Sequence, residues 1–231
     1  MKPHYSKALI VGAGSGLSAA LARLFATRGL TVALAARSIE DLAPLAAETG
    51  ASVHVCDAAE PAQVAALFAA LDGEGPADVV VYNASARVRG PLVELDPEEV
   101  ARAVQVTALG AFFTAREAAR RMLPAVHGAI LFTGASAGVK GYPRSAPFAM
   151  GKFALRGLAQ SLARELHPQG IHVGHFVIDG GIRSARRPAD PDHPDALLDP
   201  EAIAESYWHF LEQDRSAWAW EIELRPWVEP F

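Results

Sequence analysis

Short apolar runs alternate along the chain with longer segments of helical periodicity. Apolar runs that lack polar alternation are typical of strands covered on both faces, as in a parallel sheet. Six strands are predicted: Ala8–Val11, Thr31–Ala35, Ser52–Val55, Asp78–Tyr82, Ala129–Phe132 and His172–Ile178. The first predicted helix begins at the first glycine cluster and ends at about Thr27. The others are Ile39–Glu48, Pro61–Leu71, Pro97–Met122, Ala146–Leu166 and Pro200–Gln213. This alternation predicts an α/β fold, a doubly wound parallel sheet flanked by helices.

Two segments near the carboxyl terminus break the alternation. Residues 183–200 hold four prolines among several aspartates, which excludes a helix or an interior strand. The segment is therefore either a disordered linker or a loop that folds over a ligand, and long loops in compact domains favour the second, a lid over the substrate. Residues 214–231 contain an alternating strand, Ala219–Leu224, and three tryptophans, which we expect to cover the core or a subunit interface.

Composition limits the classes of protein to consider. The chain has 231 residues, 51% of them hydrophobic, and a formal net charge of −5, which suits one domain over 1–231. No basic stripe suggests nucleic acid, and no apolar run suits a membrane span or a signal peptide, so a cytoplasmic protein is expected. Cys56 is the only cysteine, and His172 and His175 are predicted on opposite faces of one strand, so no metal site is expected.

A glycine-rich turn follows the first predicted strand and opens a helix. Gly12, Gly14 and Gly16 alternate with Ala13 and Ser15, and Leu17 begins the helical periodicity. Glycines at this junction let the backbone approach a diphosphate at the helix N-terminus, where free N–H groups and the helix dipole favour an anion. The turn predicts a Rossmann-type dinucleotide site, although a tight turn without a ligand would have the same sequence.

The end of the second predicted strand distinguishes the two nicotinamide dinucleotides. An acid at this position would bind the ribose 2′-hydroxyl of NAD(H), but the sequence has Ala36-Arg37-Ser38. A guanidinium can hold a 2′-phosphate with two hydrogen bonds. Arg37 therefore favours NADP(H) over NAD(H); the alternative is a solvated charge at a strand end.

From Lys7 to Ser184 the sequence resembles the short-chain dehydrogenase/reductase superfamily. Gly12 and Gly16 match its glycine motif, with Ser18 at the third glycine, and Asn83 and Ala84 match its Asn-Asn-Ala-Gly motif. The resemblance implies that Asp57 binds the adenine, Ile182 the carboxamide and Ser184 the adjacent phosphate. The expected cofactor residues are Gly12, Gly14, Ser15, Gly16, Leu17, Arg37, Asp57, Ala58, Asn83, Ala84, Ser85, Lys152, Gly180, Ile182 and Ser184.

At the catalytic positions the sequence departs from that family. Lys152 matches the lysine of the Tyr-x-x-x-Lys motif, which holds the nicotinamide ribose. Three other positions of the family's catalytic set are replaced: Phe148 stands at the tyrosine, Ala135 at the serine and Thr107 at the asparagine. The proton donors considered in their place are Ser136, Tyr142, Asp179, Tyr82 and Lys152 itself, whose pKa would fall on burial.

These features give a leading interpretation and two alternatives. The leading one is an atypical NADP(H)-dependent oxidoreductase for a small, mostly apolar carbonyl compound or conjugated alkene, because Phe148 makes the pocket more apolar. The first alternative is a catalytically silent NADP(H)-binding protein that senses redox state or supports a partner, and the second is non-redox chemistry in a vacated nicotinamide pocket. The resemblance also implies a homodimer or homotetramer built on the helices around Val100–Met122 and Ala146–Leu166.

Overall fold

The computed structural model describes residues 4–229, and its centre is a sheet of seven parallel strands in the order β3-β2-β1-β4-β5-β6-β9. The strands of this sheet are β1 (Lys7–Val11), β2 (Thr31–Ala36), β3 (Ser52–Val55), β4 (Val79–Tyr82), β5 (Gly128–Thr133), β6 (Ile171–Ile178) and β9 (Glu221–Leu224). The helices are α1 (Leu17–Thr27), α2 (Ala43–Thr49), α3 (Pro61–Asp72), α4 (Pro97–Val104), α5 (Gly110–Ala125), α6 (Ala146–Leu166) and α7 (Pro200–Leu211). The predicted Rossmann-like α/β fold is confirmed.

The strand order reverses between β1 and β4, which lie side by side although two strands and three helices separate them along the chain. Val11, at the carboxyl end of β1, pairs with Ala35 of β2 on one side and with Tyr82 of β4 on the other. In open α/β sheets such a reversal leaves a crevice at the carboxyl ends of the strands, where ligands bind. The loops that follow β1, β2 and β4 all reach this crevice.

Successive residues of the five inner strands, β2, β1, β4, β5 and β6, pack into two different cores, one on each face of the sheet. On β1, for example, Ile10 packs with α1 and α7, whereas Leu9 packs with α3, α5 and α6. Because both faces of these inner strands are covered, they lack the polar alternation of the edge strands β3 and β9. In residues 4–229, no helix combines the length and apolar character that crossing a bilayer requires.

The long helix predicted over Pro97–Met122 is interrupted in the structure. A π-helical turn over Gln105–Leu109 separates α4 from α5. Gly110 follows it, and a Cβ at that position would collide with the Tyr82 hydroxyl and lie 2.7 Å from the Ala58 carbonyl oxygen. The start of α5 therefore packs closely against the carboxyl end of β4. π-Helical turns within helices are frequently found at functional sites.

Residues 183–199 contain no helix and no strand of the central sheet, as the prolines predict, and α7 begins at Pro200, the last residue of the predicted loop. Two short strands pair with each other in parallel: β7 (Gly181–Ile182) directly precedes the segment, and β8 (Leu197–Leu198) lies near its end. The Arg183 guanidinium also lies 2.6 Å from the Asp199 carboxylate. These contacts bring the two ends of the segment together beside the carboxyl end of β6.

The carboxyl-terminal aromatic residues divide between core and surface. Trp218 stacks on His172, with 4.3 Å between ring centroids, while the other face of that imidazole meets Phe210. His175 lies on the opposite face of β6, where its Nδ1 is 3.0 Å from Glu221, so the predicted separation of the two histidines is confirmed. Trp227 is 82% exposed.

Candidate active site

The glycine-rich turn is locked against the end of β4. Gly12 has φ +85°, and a Cβ there would collide with the backbone of Ala84, so only glycine fits. The Ser18 hydroxyl donates to the Gly12 carbonyl at 3.2 Å and accepts from the Asn83 side-chain amide at 2.7 Å. Ser18, which stands where the resemblance expects a third glycine, thus ties the turn to the Asn83 motif.

The N-terminus of α1 opens onto free space at this turn. Its N-cap residue is Gly16, so no side chain caps the helix by a hydrogen bond. The first helical turn also contains no acidic residue. A Cβ on Gly14 or Gly16 would meet no atom within 4 Å. The first N–H groups of a helix have no intrahelical partner, and here they face an open crevice, which suits a bound anion such as a diphosphate.

We call the cavity beside this turn the nucleotide cleft. It measures about 470 Å³ and is lined by Gly12, Ala13, Ala36, Arg37, Ser38, Cys56, Asp57, Ala58, Asn83, Ala84, Ser85 and Val106. Within residues 4–229 the Arg37 guanidinium has no hydrogen bond or ion pair. The Asp57 carboxylate, in contrast, already pairs with Arg102, an interaction that the sequence did not reveal. Burial raises the pKa of the Cys56 thiol to about 11, so this cysteine is a packing residue.

A second cavity, the lysine pocket, continues from the nucleotide cleft and shares Asn83 and Ser85 with it. Its volume is about 350 Å³, and its lining includes Gly16, Leu17, Ala135, Phe148, Lys152, Gly180, Ile182 and Ser184. Every expected cofactor residue therefore lines one of these two cavities, except Gly14 and Ser15, which lie in the turn beside them.

Lys152 is the buried cation of the lysine pocket. Its Nζ donates to the Thr133 carbonyl oxygen at 2.6 Å, which leaves two of its three N–H groups for a ligand. Burial, with a smaller contribution from the positive charge of Arg87, lowers the pKa of Lys152 to about 7. Since a group with a pKa near the working pH can both give and take a proton, Lys152 can serve as an acid or a base.

The third cavity, the arginine chamber, shares Arg87, Phe148, Gly180 and Arg187 with the lysine pocket. It measures about 570 Å³ and is lined by Arg87, Arg89, Gly90, Ser136, Ala137, Tyr142, Pro143, Arg144, Ser145, Phe148, Asp179, Gly180, Arg187 and Glu229. The Arg87 guanidinium lies over the Phe148 ring, 4.2 Å from its centroid. The sequence reading missed this arginine cluster, although Arg87 and Arg89 closely follow the Asn83 motif at a strand end.

The candidate proton donors other than Lys152 lie in different parts of the structure. Ser136 and Tyr142 line the arginine chamber, and so does Asp179, whose carboxylate is 3.2 Å from Lys140 and 3.3 Å from Arg225. Tyr82 is wrong as a candidate, because its buried hydroxyl donates to the Val106 carbonyl oxygen and Tyr82 lines none of the three cavities.

Phe148 and Ala135, which stand where the resemblance expects a tyrosine and a serine, lie beside Lys152. Phe148 precedes Lys152 by one turn of α6, and the Lys152 Nζ is 5.7 Å from the Phe148 ring centroid. Ala135 lines the same pocket at the end of β5. Thr107 is buried in the π-helical turn, where its hydroxyl accepts from the Ala86 N–H at 3.2 Å, and it lines none of the three cavities.

Comparison with known proteins gives one family. The family described as short chain dehydrogenase matches residues 6–189. A crystal structure of a short-chain dehydrogenase from Rhodopseudomonas palustris is 36% identical, with a TM-score of 0.84 over 97% of this chain and 100% of that one.

Two further similar proteins are named for different functions. An alcohol dehydrogenase from Thermococcus sibiricus, complexed with 5-hydroxy-NADP, is 25% identical, with a TM-score of 0.86 over 98% of this chain and 99% of that one. A cyclic-di-GMP-binding biofilm dispersal mediator protein of Escherichia coli is 32% identical over 84% of this chain and 81% of its own.

Proposed function

Because the chain belongs to the short-chain dehydrogenase family, we propose that it is an NADP(H)-dependent oxidoreductase acting on a small carbonyl compound or conjugated alkene. The observation that carries the proposal is the run of three adjoining cavities from Arg37, past Lys152, to the arginine chamber. A dinucleotide needs the first two, and a substrate needs the third. The NADP derivative bound to the Thermococcus sibiricus relative supports the same cofactor here.

The chain offers a separate group for each part of NADP(H). The N-terminus of α1 would bind the diphosphate, Arg37 the 2′-phosphate and Lys152 the nicotinamide ribose. Asp57 would accept from the adenine amino group, and Ile182 and Ser184 would border the nicotinamide end. When bound, the nicotinamide supplies or accepts a hydride.

For the proton we propose Lys152 as the donor, with Phe148 occupying the family's tyrosine position. The Phe148 ring cannot release a proton, whereas the Lys152 ammonium holds one at Nζ with a pKa of about 7. Lys152 lines the lysine pocket, which adjoins the arginine chamber, and two of its three N–H groups are left for a ligand there. Arg87, above the Phe148 ring, would stabilise negative charge that develops on the substrate oxygen.

Arg37→Gln is expected to weaken NADPH binding about 10- to 100-fold, the range typical for loss of a charge-assisted contact to a phosphate. NADH has no 2′-phosphate, so its dissociation constant should stay within about twofold of wild type. Calorimetric titration of both nucleotides measures the two effects. Arg164→Gln, which removes an exposed guanidinium bonded only to its own helix, is the control. Equal losses for NADPH and NADH would contradict the role of Arg37, and no wild-type affinity for either nucleotide would contradict the proposed function.

The lining of the arginine chamber does not favour the apolar substrate that Phe148 suggests from sequence. Phe148 is the only phenylalanine of that lining, which also holds four arginines and two acids. The ring instead serves as a platform for the Arg87 guanidinium, an arrangement that cation–π attraction stabilises.

A second candidate function is binding of NADP(H) without turnover. It is favoured by Phe148 at the family's tyrosine position, which removes the usual proton donor. The Escherichia coli relative is a cyclic-di-GMP-binding mediator protein, and its name describes nucleotide binding. The Phe148 and Ala135 variants described in the Discussion distinguish this candidate from an active oxidoreductase.

We also propose that the protein forms a homodimer or homotetramer through α6 and the helical segment that includes α5. Four apolar side chains on these elements are between 45% and 54% exposed: Leu109, Phe112, Met150 and Phe153. Covering such a patch in a symmetric interface removes it from water. Multi-angle light scattering should give at least twice the chain mass of 24.5 kDa, and a monomer mass at micromolar concentration would contradict the proposal.

A further inference from the structure

The arginine chamber concentrates positive charge in a protein whose formal net charge is −5. Four guanidinium groups line it: Arg87, Arg89, Arg144 and Arg187. Among residues 4–229, no carboxylate lies within 4.0 Å of any of the four. Elsewhere in the protein arginines are commonly paired, as Arg121 is with Asp72 at 2.7 Å and Arg156 is with Glu221 at 2.7 Å.

The acids of the chamber leave an excess of positive charge. Its lining contains two carboxylates, Asp179 and Glu229, and Asp179 is already paired with Lys140 and Arg225. Arg87 also has like-charged neighbours. Partial removal from water lowers the pKa of its guanidinium, and the positive charges of Arg89 and Arg187 lower it further. Guanidinium groups held together without counterions repel one another, and a bound anion would remove that repulsion.

The cofactor does not account for all four arginines. Arg87 and Arg187 line the lysine pocket as well, where they could contact the phosphates of a dinucleotide. Arg89 and Arg144 line the arginine chamber alone and neither of the two cavities assigned to NADP(H). Arg144 has φ +59° and its carbonyl oxygen accepts from the Gly90 N–H at 3.1 Å, which joins the two loops that carry these side chains.

We propose that the substrate of the proposed oxidoreductase carries an anionic group, a carboxylate or a phosphate, which Arg89 and Arg144 bind in the arginine chamber. That the bound anion belongs to a substrate rests on the proposed function, whereas the anion site itself depends only on the arginines of the chamber. The planar fork of a guanidinium matches both anions with two hydrogen bonds. With the anion held there, the reacting carbonyl of a small molecule lies toward Phe148 and Lys152, in the part of the chamber that adjoins the lysine pocket.

Pairs of aldehydes that differ by one charged group test the proposal. The carboxylate pair is 4-formylbenzoate and its methyl ester, and the phosphate pair is glyceraldehyde 3-phosphate and glyceraldehyde. For each compound, kcat/KM is measured with NADPH, and Kd is measured separately by calorimetry on the NADP⁺-loaded protein. We expect the charged member of at least one pair to bind about tenfold or more tightly than its neutral partner, as for other charge-assisted contacts.

The double variant Arg89→Gln/Arg144→Gln tests whether the preference for the charged compound comes from the arginine chamber. It should remove the preference for the charged compound, leave the neutral compound unchanged and leave the NADPH Kd within about twofold of wild type, because neither side chain lines the cofactor cavities. Arg164→Gln, on the exposed side of α6, is the matched control.

The outcomes separate the anion site from the proposed function. A charged compound that binds preferentially but is not turned over would contradict the oxidoreductase and leave the anion site standing. Turnover of charged and neutral members with equal kcat/KM would overturn the anion site and leave the oxidoreductase standing. Equal Kd values within both pairs, or a preference that survives in the double variant, would also overturn the inference.

Discussion

Lys152→Met is expected to lower NADPH-dependent turnover by a factor of about 10²–10⁴, the usual effect of removing a positioned general acid. The substitution removes both N–H groups that Thr133 leaves free, one to hold the ribose and one to give its proton to the substrate. In wild type, carbonyl reduction should also slow as the pH rises through about 7, because Lys152 then loses the proton that it must donate. The pH profile of the residual activity in Lys152→Met should lack that step.

The same substitution should stabilise the protein, which separates a functional role of Lys152 from a structural one. The folded-state pKa of about 7 lies below the ordinary value of 10.5, so between these values the unfolded chain binds more protons and stability rises with pH. Below pH 7 the full penalty for a buried ammonium remains, at most a few kcal/mol. Met fills a similar volume without that charge. We therefore expect a higher urea midpoint for Lys152→Met at pH 7.

Lys7→Met is the matched control, since Lys7 is the other buried lysine of residues 4–229 and lies at the amino end of β1. Its Nζ contacts Glu74 at 3.3 Å, at the end of the sheet opposite the three cavities. Lys7→Met should leave kcat/KM and the pH profile unchanged. Wild-type turnover in Lys152→Met, or the same loss in Lys7→Met, would contradict the assignment of Lys152 as proton donor.

The glycine turn and the fold were predictable because their signals are local. A strand, three alternating glycines and an alanine-rich helix occupy one continuous segment, and the backbone alone determines that Gly12 must be glycine. Lys152 and Phe148 were placed on one helix by their spacing of four residues, which the structure confirms.

The arginine chamber was not predictable because its residues come from loops without periodicity. Arg89 follows β4, Arg144 precedes α6 and Arg187 belongs to the proline-rich segment, so only the folded chain brings them together. The interpretation of Tyr82 as a proton donor was wrong for a related reason. The hydrophobic pattern from Pro97 to Met122 predicts one regular helix. It does not reveal the π-helical turn whose Val106 carbonyl oxygen accepts from the Tyr82 hydroxyl.

Phe148→Tyr combined with Ala135→Ser is expected to raise NADPH-dependent carbonyl reduction about 10²-fold or more, because it supplies a positioned proton donor and a hydroxyl that orients the carbonyl. Both positions line the lysine pocket, and Phe148 is one turn from Lys152 on α6. The aldehyde pairs described above serve as substrates, and kcat/KM is compared with wild type.

The size of the gain distinguishes the two candidate functions. If the natural protein is silent, the double variant creates turnover from background, whereas an enzyme that already uses Lys152 starts from measurable activity and loses its dependence on that group's pKa of about 7. Phe153→Tyr, at a phenylalanine of the same helix that lines none of the three cavities, is the control and should leave kcat/KM unchanged. A double variant that binds NADPH as wild type does, yet shows no gain with any aldehyde, would mean that position 148 is not where this fold delivers its proton.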